Sequence, residues 1–265
     1  MHGLKSSMRR ALAWFGLLLL TISFVWFVRL PVPMHPVTAP PKPSRSGESL
    51  PVVVLDAGHG GRDSGAMCGL VMEKDLTLDI AQRAELLLRA AGYATVLTRE
   101  SDRYLSLAER AAVGNEEDDS LFISIHFNDG ERAAASGVET FYALRESSGP
   151  SRLFSWLPFL RHTDNGAITT RSESLANCIQ AALVERTRAV NRGIKSEQFY
   201  VIANVRHPAA LVEGGFITNK SDVTKLATSE YRQQIALAIS EGVQRYREAT
   251  HTGGPKLAVT AARPE

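Results

Sequence analysis

The protein has 265 residues, of which 44% are apolar and 22% are charged, and it contains 2 cysteines. This composition suits one sizeable globular domain and excludes a disordered chain, a fibrous protein and a disulfide-stapled scaffold. The formal net charge is +2, but residues 1–50 carry a net charge of +5 and the remainder −3, so we expect no nucleic-acid partner.

The N-terminal segment, residues 1–29, has the pattern of a signal-anchor or a signal peptide. Lys5, Arg9 and Arg10 precede an apolar run at residues 11–28. As a helix this run would extend about 27 Å, close to the bilayer hydrocarbon thickness of about 30 Å. Because no small-residue cleavage site ends the run, an anchor in the inner membrane is favoured over a cleaved signal, with a buried core helix as a third alternative. Both export readings place the rest of the chain in the periplasm or cell envelope.

Two further segments have the composition of irregular chain. Residues 30–50 contain six of the 12 prolines, which predicts an extended linker because proline does not fit the interior of a helix or sheet. Residues 250–265 are mostly small or polar, which predicts a disordered tail. The folded domain is therefore expected at residues 51–249.

Within this domain, strand-like and helix-like patterns alternate along the chain. The predicted strands are residues 51–55, 93–98, 120–126, 137–144, 198–203 and 209–214. The predicted helices are residues 75–91, 105–113, 173–191 and 229–248. This alternation predicts a layered α/β domain whose central sheet is mostly parallel and twisted, has about six strands, and is flanked by helices.

Four chemically capable side chains lie beside these predicted elements. His59 follows the first strand, His126 ends the third, Glu213 lies in the last, and Glu73 precedes the first long helix. In a parallel sheet they would meet at the carboxyl ends of the strands. Two imidazoles and one carboxylate make a catalytic zinc site with one open position, and a second carboxylate would serve as general base. The pattern alone does not say which glutamate has which role.

Each residue also has a structural alternative. A histidine at a strand end is often a satisfied structural residue, and Glu73 would favourably cap the positive end of its helix. Glu213 is harder to explain structurally, because a carboxylate in an apolar strand is costly to bury unless it is paired or bound to a metal. The four residues are scattered along the chain rather than grouped in one short motif.

The same residues belong to an ordered series of motifs that resembles the zinc-dependent N-acetylmuramoyl-L-alanine amidases, bacterial enzymes that cut peptide stems from peptidoglycan. The series runs across nearly all of residues 52–247. Its main members are Asp56-Ala57-Gly58-His59-Gly60-Gly61, Glu73-Lys74-Asp75, Ser124-Ile125-His126-Phe127-Asn128, Gly137-Val138-Glu139-Thr140-Phe141-Tyr142, Asn191-Arg192-Gly193-Ile194-Lys195 and Val212-Glu213-Gly214-Gly215-Phe216.

The resemblance implies that His59, Glu73 and His126 bind Zn²⁺ and that Glu213 is the catalytic carboxylate. The implied reaction is hydrolysis of the amide between the lactyl group of N-acetylmuramic acid and L-alanine, for cell-wall remodelling or daughter-cell separation. Asn128, two residues after a proposed ligand, is a candidate substrate contact, with simple turn formation as its alternative.

The stretch 145–171 is longer than a minimal family member needs. Some family members carry an inhibitory helix at about this point, so this insertion is a candidate lid that a protein activator would release. The alternatives are a loop packed on its own domain and a membrane-docking surface. Cys68 and Cys178 could form a disulfide outside the cytoplasm, with two free thiols as the favoured alternative.

Two other functions compete with the amidase interpretation. The first is a different zinc peptidase or amidase, such as a metallo-carboxypeptidase, which would place a histidine and a glutamate about three residues apart. Here His59 and Glu73 are 14 positions apart. The second is a non-catalytic peptidoglycan-binding module, which would be expected to have lost a ligand or the base.

Overall fold

The computed structural model describes residues 50–130, 134–145 and 165–251. The predicted N-terminal anchor, nearly all of the predicted linker, most of the 145–171 insertion and most of the predicted tail lie outside these ranges. Across the three described ranges, no helix is both long enough and apolar enough to cross a membrane.

The central feature is a six-stranded sheet. The strands in chain order are β1 Val52–Ala57, β2 Met67–Cys68, β3 Val71–Met72, β4 Thr95–Leu97, β5 Ser120–Asn128, β6 Val138–Tyr142, β7 Asn191–Ser196 and β8 Ala209–Phe216. Strands β2 and β3 form a separate hairpin, and the other six form the sheet. The order across the sheet is β4-β1-β5-β8-β6-β7. Strands β4, β1, β5 and β8 are parallel to one another. Strand β6 runs antiparallel to β8, and β7 runs parallel to β6. The mostly parallel sheet is confirmed.

Helices cover both faces of this sheet. They are α1 Glu73–Ala90, α2 Leu107–Gly114, α3 Asn165–Thr187, α4 Tyr200–Ala203, α5 Lys220–Leu226 and α6 Ser229–His251. On one face, Val53 and Leu55 of β1 pack in a large core with α1, α3 and α6. On the other face, Val54 and Phe122 pack with α2 and α4. This alternation along β1 is what buries the strand from both sides.

One predicted strand was wrong. Residues 198–203 do not form a strand; β7 lies earlier, at Asn191–Ser196, and α4 occupies Tyr200–Ala203. The helix α3 ends at Thr187 rather than at 191, because Arg188 adopts a left-handed conformation with φ of 53°. β7 is an edge strand with mostly exposed residues, so it lacks the apolar pattern by which buried strands are predicted.

The start of helix α3 and the end of helix α6 also differ from prediction. Helix α3 begins at Asn165, so the last part of the 145–171 insertion is helical. Helix α6 continues to His251, which places the start of the predicted tail inside a helix. Cys68 is exposed, Cys178 is buried, and both are free thiols as predicted.

Candidate active site

The two histidines come from neighbouring parallel strands. β1 and β5 pair up to Ala57 and Ile125, so the residues that follow both strands emerge at the same edge of the sheet. His126 lies on β5 itself, whereas His59 lies in the turn after β1 with a left-handed φ of 58°. Arg110 donates a hydrogen bond of 2.6 Å to the backbone oxygen of His59, which holds this turn in place.

Glu73 reaches the same edge from the first residue of α1. The β2–β3 hairpin directly precedes it, and its side chain is buried. The carboxylate accepts hydrogen bonds from the backbone N–H groups of Ala66, at 2.9 Å, and Phe127, at 3.0 Å. Glu73 therefore does not cap its helix as an exposed side chain; its oxygens are fixed inside the site.

Donor atoms of all three residues converge. His59 Nε2 lies 3.1 Å from Glu73 Oε1, and His126 Nδ1 lies 3.0 Å from the same oxygen. One ligand atom from each residue lies within 4.8 Å of the other two. Two imidazole nitrogens and a carboxylate oxygen form the donor set of a catalytic zinc site, so these residues fit the metal that the sequence predicts.

A fourth residue orients one of the histidines. Asp63 Oδ2 lies 2.9 Å from His59 Nδ1, the ring nitrogen opposite the one that faces Glu73. Histidine ligands commonly pair their second nitrogen with a carboxylate, which fixes the ring orientation and raises its basicity. Asp63 has this position.

The charges in the site shift the pKa values of its members. Burial would raise the pKa of Glu73, but hydrogen bonds with His126 and His59 outweigh it and hold that pKa far below its usual range. Burial would lower the pKa of His59, but its contacts with Glu73 and Asp63 raise it. An ionised carboxylate at Glu73 is the form that a metal ligand needs.

Glu213 lies beside this group on the next strand. In the register between β5 and β8 it is the direct partner of His126. The residue is buried, and its Oε2 atom has no hydrogen-bond partner. Burial, and then the negative charges of Glu73 and Glu139, raise the pKa of Glu213 well above its usual value. A buried carboxylate with an unpaired oxygen is suited to exchanging protons.

Glu139 on β6 lies next to Glu213 in the sheet. It is the register partner of Glu213 across β6 and β8. Its buried carboxylate accepts hydrogen bonds from Asn128 Nδ2, at 2.8 Å, from Arg192 Nε, at 3.1 Å, and from Lys195 Nζ. Burial would raise the pKa of Glu139, but these bonds, led by that from Lys195, lower it.

The structure thus brings His59, Glu73, His126 and Glu213 together at one sheet edge, as the sequence analysis expected. Asn128 contacts this group through Glu139, to which its side-chain amide donates a hydrogen bond. Asp63 and Glu139 are two further site residues that were not predicted from the sequence. Two signals were available: Asp63 stands four residues after His59, and Glu139 is a charged residue inside an apolar strand.

Comparisons with known proteins extend these observations. The sequence profile of a family described as N-acetylmuramoyl-L-alanine amidase matches residues 53–245. The Bacillus subtilis protein YqiI, named only as uncharacterized, is 38% identical over 194 residues, which cover 73% of this chain and 84% of that protein. The germination-specific N-acetylmuramoyl-L-alanine amidase of the same organism is 30% identical, over 94% of this chain and 99% of its own length.

Solved structures show the same fold. The CwlD amidase of Clostridioides difficile, determined in complex with the GerS lipoprotein, matches with a TM-score of 0.64 and 27% identity. The match covers 76% of this chain and 100% of that one. The described sheet and helices are therefore those of an amidase catalytic domain.

Proposed function

The chain belongs to the N-acetylmuramoyl-L-alanine amidase family, and from this premise we propose that His59, Glu73 and His126 bind a catalytic zinc ion beside the general acid–base Glu213. The enzyme hydrolyses the amide between the lactyl group of N-acetylmuramic acid and L-alanine in peptidoglycan. Family membership sets aside the carboxypeptidase and the non-catalytic binding module as readings of the sequence.

One observation carries the assignment of the ligands. A nitrogen of His59 lies 3.1 Å and a nitrogen of His126 lies 3.0 Å from a single oxygen of Glu73, and two imidazoles with one carboxylate are the donor set of a catalytic zinc site. Zinc, when bound, supplies a Lewis acid that activates both water and the amide carbonyl. The three side chains and Asp63 hold the donor atoms in position for it.

The division of roles between the two glutamates follows from their surroundings. Both oxygens of Glu73 accept backbone hydrogen bonds and its pKa is lowered, so it holds no proton. Glu213 has an unpaired Oε2 and a raised pKa. We assign to Oε2 the proton that the attacking water gives up, and its return to the alanine nitrogen as the C–N bond breaks.

The contact between Asn128 and the substrate stays a prediction. The amide of Asn128 also donates to Glu139, and this hydrogen bond supports a positioning role. Glu139 in turn is the register partner of Glu213. We therefore propose that Asn128 helps to hold the carboxylate next to the acid–base residue.

Peptidoglycan as substrate places the enzyme in the cell envelope. The more detailed expectations remain predictions: an anchor formed by residues 11–28, and an activator that acts on the 145–171 insertion. The C. difficile relative was solved with a lipoprotein, which motivates a search for such a partner. Fractionation of cells would test the anchor, since an anchored protein stays with membranes in high salt and a cleaved one does not.

The central experiment measures amide hydrolysis by the full-length protein in detergent on purified peptidoglycan. We expect zinc-dependent release of L-alanine amino termini, loss of activity with chelator, and a loss of about 10²- to 10⁴-fold in Glu213→Gln. The matched control is Glu116→Gln, an exposed glutamate. Zinc should still bind to Glu213→Gln. If this variant kept wild-type activity, the assignment of the acid–base would be wrong; absence of zinc binding by the wild type would remove the ligand assignment.

A further inference from the structure

Two cations lie next to the candidate active site on the side away from the histidines. Arg192 and Lys195, both on the edge strand β7, donate hydrogen bonds to the buried carboxylate of Glu139. Glu139 lies beside Glu213 in the sheet register. None of the proposed catalytic steps uses Arg192 or Lys195.

A β-bulge puts these two side chains on one face. Residues three apart in a regular strand point to opposite faces of the sheet. Here Val138 pairs with Asn191 but Thr140 pairs with Ile194, so β7 has one extra residue. Gly193 lies in the extra stretch with a φ of +78°, a conformation that glycine adopts readily and that typifies such bulges. The extra residue lets Arg192 and Lys195 both reach Glu139.

Aromatic rings support both cationic groups. The guanidinium carbon of Arg192 lies 4.9 Å from the ring centre of Phe216, and the ammonium of Lys195 lies 5.6 Å from that of Phe141. These are cation–π distances. Since Phe216 ends the strand that carries Glu213, the Arg192 contact ties the cation to the catalytic strand.

The pair remains accessible and keeps a positive charge. The side chains of Arg192 and Lys195 are 33% and 42% exposed. Glu139 offsets one of their two charges and uses one of the five N–H donors of the arginine. The group therefore has net charge +1 and donors for an anion.

The distance from the acid–base suits the peptide part of the substrate. Neighbouring strands are about 4.8 Å apart, which places β7 about 10 Å from the strand of Glu213. An extended peptide advances about 3.5 Å per residue, so the long side chains of β7 would reach the first or second residue after L-alanine. The lactyl carboxyl of the glycan is consumed in the scissile amide, so the carboxylates near this bond belong to the peptide.

We propose that Arg192 and Lys195 form a subsite that binds a carboxylate of the stem peptide beyond L-alanine. This inference rests on the proposed amidase function and adds a charge preference to it. An arginine and a lysine together give charge-assisted hydrogen bonds to a carboxylate, and an arginine can form two such bonds in parallel. The subsite would select stems in which this carboxylate is free over stems in which it is amidated.

The test uses two muramoyl-L-alanyl-D-glutamyl-L-lysine substrates that differ only in the glutamyl α-carboxyl, which is free in one and an amide in the other. With the full-length zinc enzyme, we expect kcat/KM to be about ten-fold higher for the free acid, mostly through KM, as one charge-assisted hydrogen bond allows. Lys195→Gln should bring this ratio to about three or lower, and Arg192→Gln/Lys195→Gln close to one. Lys195→Arg, which keeps the charge, should retain the preference.

An exposed lysine far along the chain gives the matched control. Lys225 lies on α5, and Lys225→Gln should leave the substrate ratio unchanged. A wild-type ratio near one, or an equal fall in Lys225→Gln, would overturn the proposal. Thermal melting of each variant measures any stability that is lost when the buried Glu139 loses a partner. If the double variant does not fold, Lys195→Gln, which retains Arg192, provides the test.

Binding separates this inference from the proposed function. The tripeptide L-alanyl-D-glutamyl-L-lysine, with the same carboxyl free or amidated, can be titrated calorimetrically into Glu213→Gln. Tighter binding of the free acid, lost in Lys195→Gln, would support the subsite even if no turnover of either substrate were seen. Equal binding of both peptides would refute it, whereas absence of turnover alone would count against the catalytic assignment.

Discussion

His126 on β5 and Glu213 on β8 are direct partners in a parallel strand pair. Side chains of such partners point to the same face of the sheet, so one strand pairing places a proposed zinc ligand beside the proposed acid–base. The row continues to Glu139 on β6, the register partner of Glu213. The order of strands in the sheet thus sets the order of chemical roles along its edge.

The first prediction concerns Gly58, which allows the ring of His126 to lie close to the β1 turn. A Cβ atom at this position would lie 2.4 Å from His126 Cε1. We expect Gly58→Ala to displace the ring and to lower zinc affinity about 10- to 100-fold, as changes that disorient a ligand commonly do. Competition with a zinc-binding dye measures this.

Gly69→Ala is the control for this change. A Cβ atom at Gly69 meets nothing within 4 Å, although its φ of +60° makes the substitution mildly strained. It should cost about 1 kcal/mol of stability and leave zinc affinity unchanged. Unchanged zinc affinity in Gly58→Ala would show that His126 is not held where this contact requires.

The second prediction concerns the carboxylate behind His59. Because Asp63 Oδ2 lies 2.9 Å from His59 Nδ1, Asp63→Asn should lower zinc affinity about 10- to 100-fold through loss of charge and orientation. The fold should be retained, since an asparagine oxygen still accepts the Gly65 N–H hydrogen bond. The control is Asp118→Asn, at an exposed position. An affinity equal to that of the wild type would mean that Asp63 does not orient the ligand.

The third prediction concerns the buried ion pair below the site. Arg110 donates to Asp56 at 2.8 Å, and both side chains are at most 3% exposed. Asp56 also accepts from Thr98 and Ser124. Arg110→Met would leave this charge buried without its cation and should lower the free energy of unfolding by about 3–5 kcal/mol in urea denaturation.

Arg186→Met tests whether any lost ion pair has this effect. Arg186 pairs with Glu241 at the surface, where such pairs contribute about 1 kcal/mol or less. Similar losses in the two variants would contradict a special cost for the buried pair. Arg110 also holds the backbone of His59, so we expect its loss to weaken zinc binding as well.

Much of this architecture follows from sequence patterns, for physical reasons that particular elements make clear. β1 and β8 are buried on both faces and therefore appear as apolar runs, so that His59 just after β1 and Glu213 within β8 stand out. α1 and α6 each have one apolar face against the sheet. The convergence of His59, His126 and Glu213 follows from parallel strand order alone.

Other features depend on conformation that residue patterns do not show. β7 is an exposed edge strand with a bulge at Gly193, so neither apolar content nor alternation predicts it. The pairing of Arg192 and Lys195 with Glu139 depends on that bulge. Arg188 ends α3 in a left-handed conformation, which an arginine in the sequence does not indicate. The partner of each buried arginine is likewise known only from the folded structure.

The last prediction concerns the pH dependence of stability in the metal-free protein. The folded-state pKa of Glu213 is raised above the ordinary value of 4.5, first by burial. Between 4.5 and the raised pKa, the folded state therefore binds more protons than the unfolded state at this residue. Stability then falls as pH rises through this interval. Glu213→Gln removes the titrating group and the cost of a buried charge.

The free energies of unfolding of wild type and Glu213→Gln should therefore differ by an amount that depends on pH. In urea denaturation with chelator, we expect the advantage of Glu213→Gln to grow as pH increases from about 5 towards 8, since the wild-type carboxyl must either keep its proton or be buried as an anion. Glu116→Gln, at an exposed glutamate, should show no such trend. If the difference in the free energy of unfolding between wild type and Glu213→Gln stayed constant across this pH range, Glu213 would titrate normally in the folded protein. The assignment of Glu213 as a proton carrier whose pKa is raised by burial would then fail.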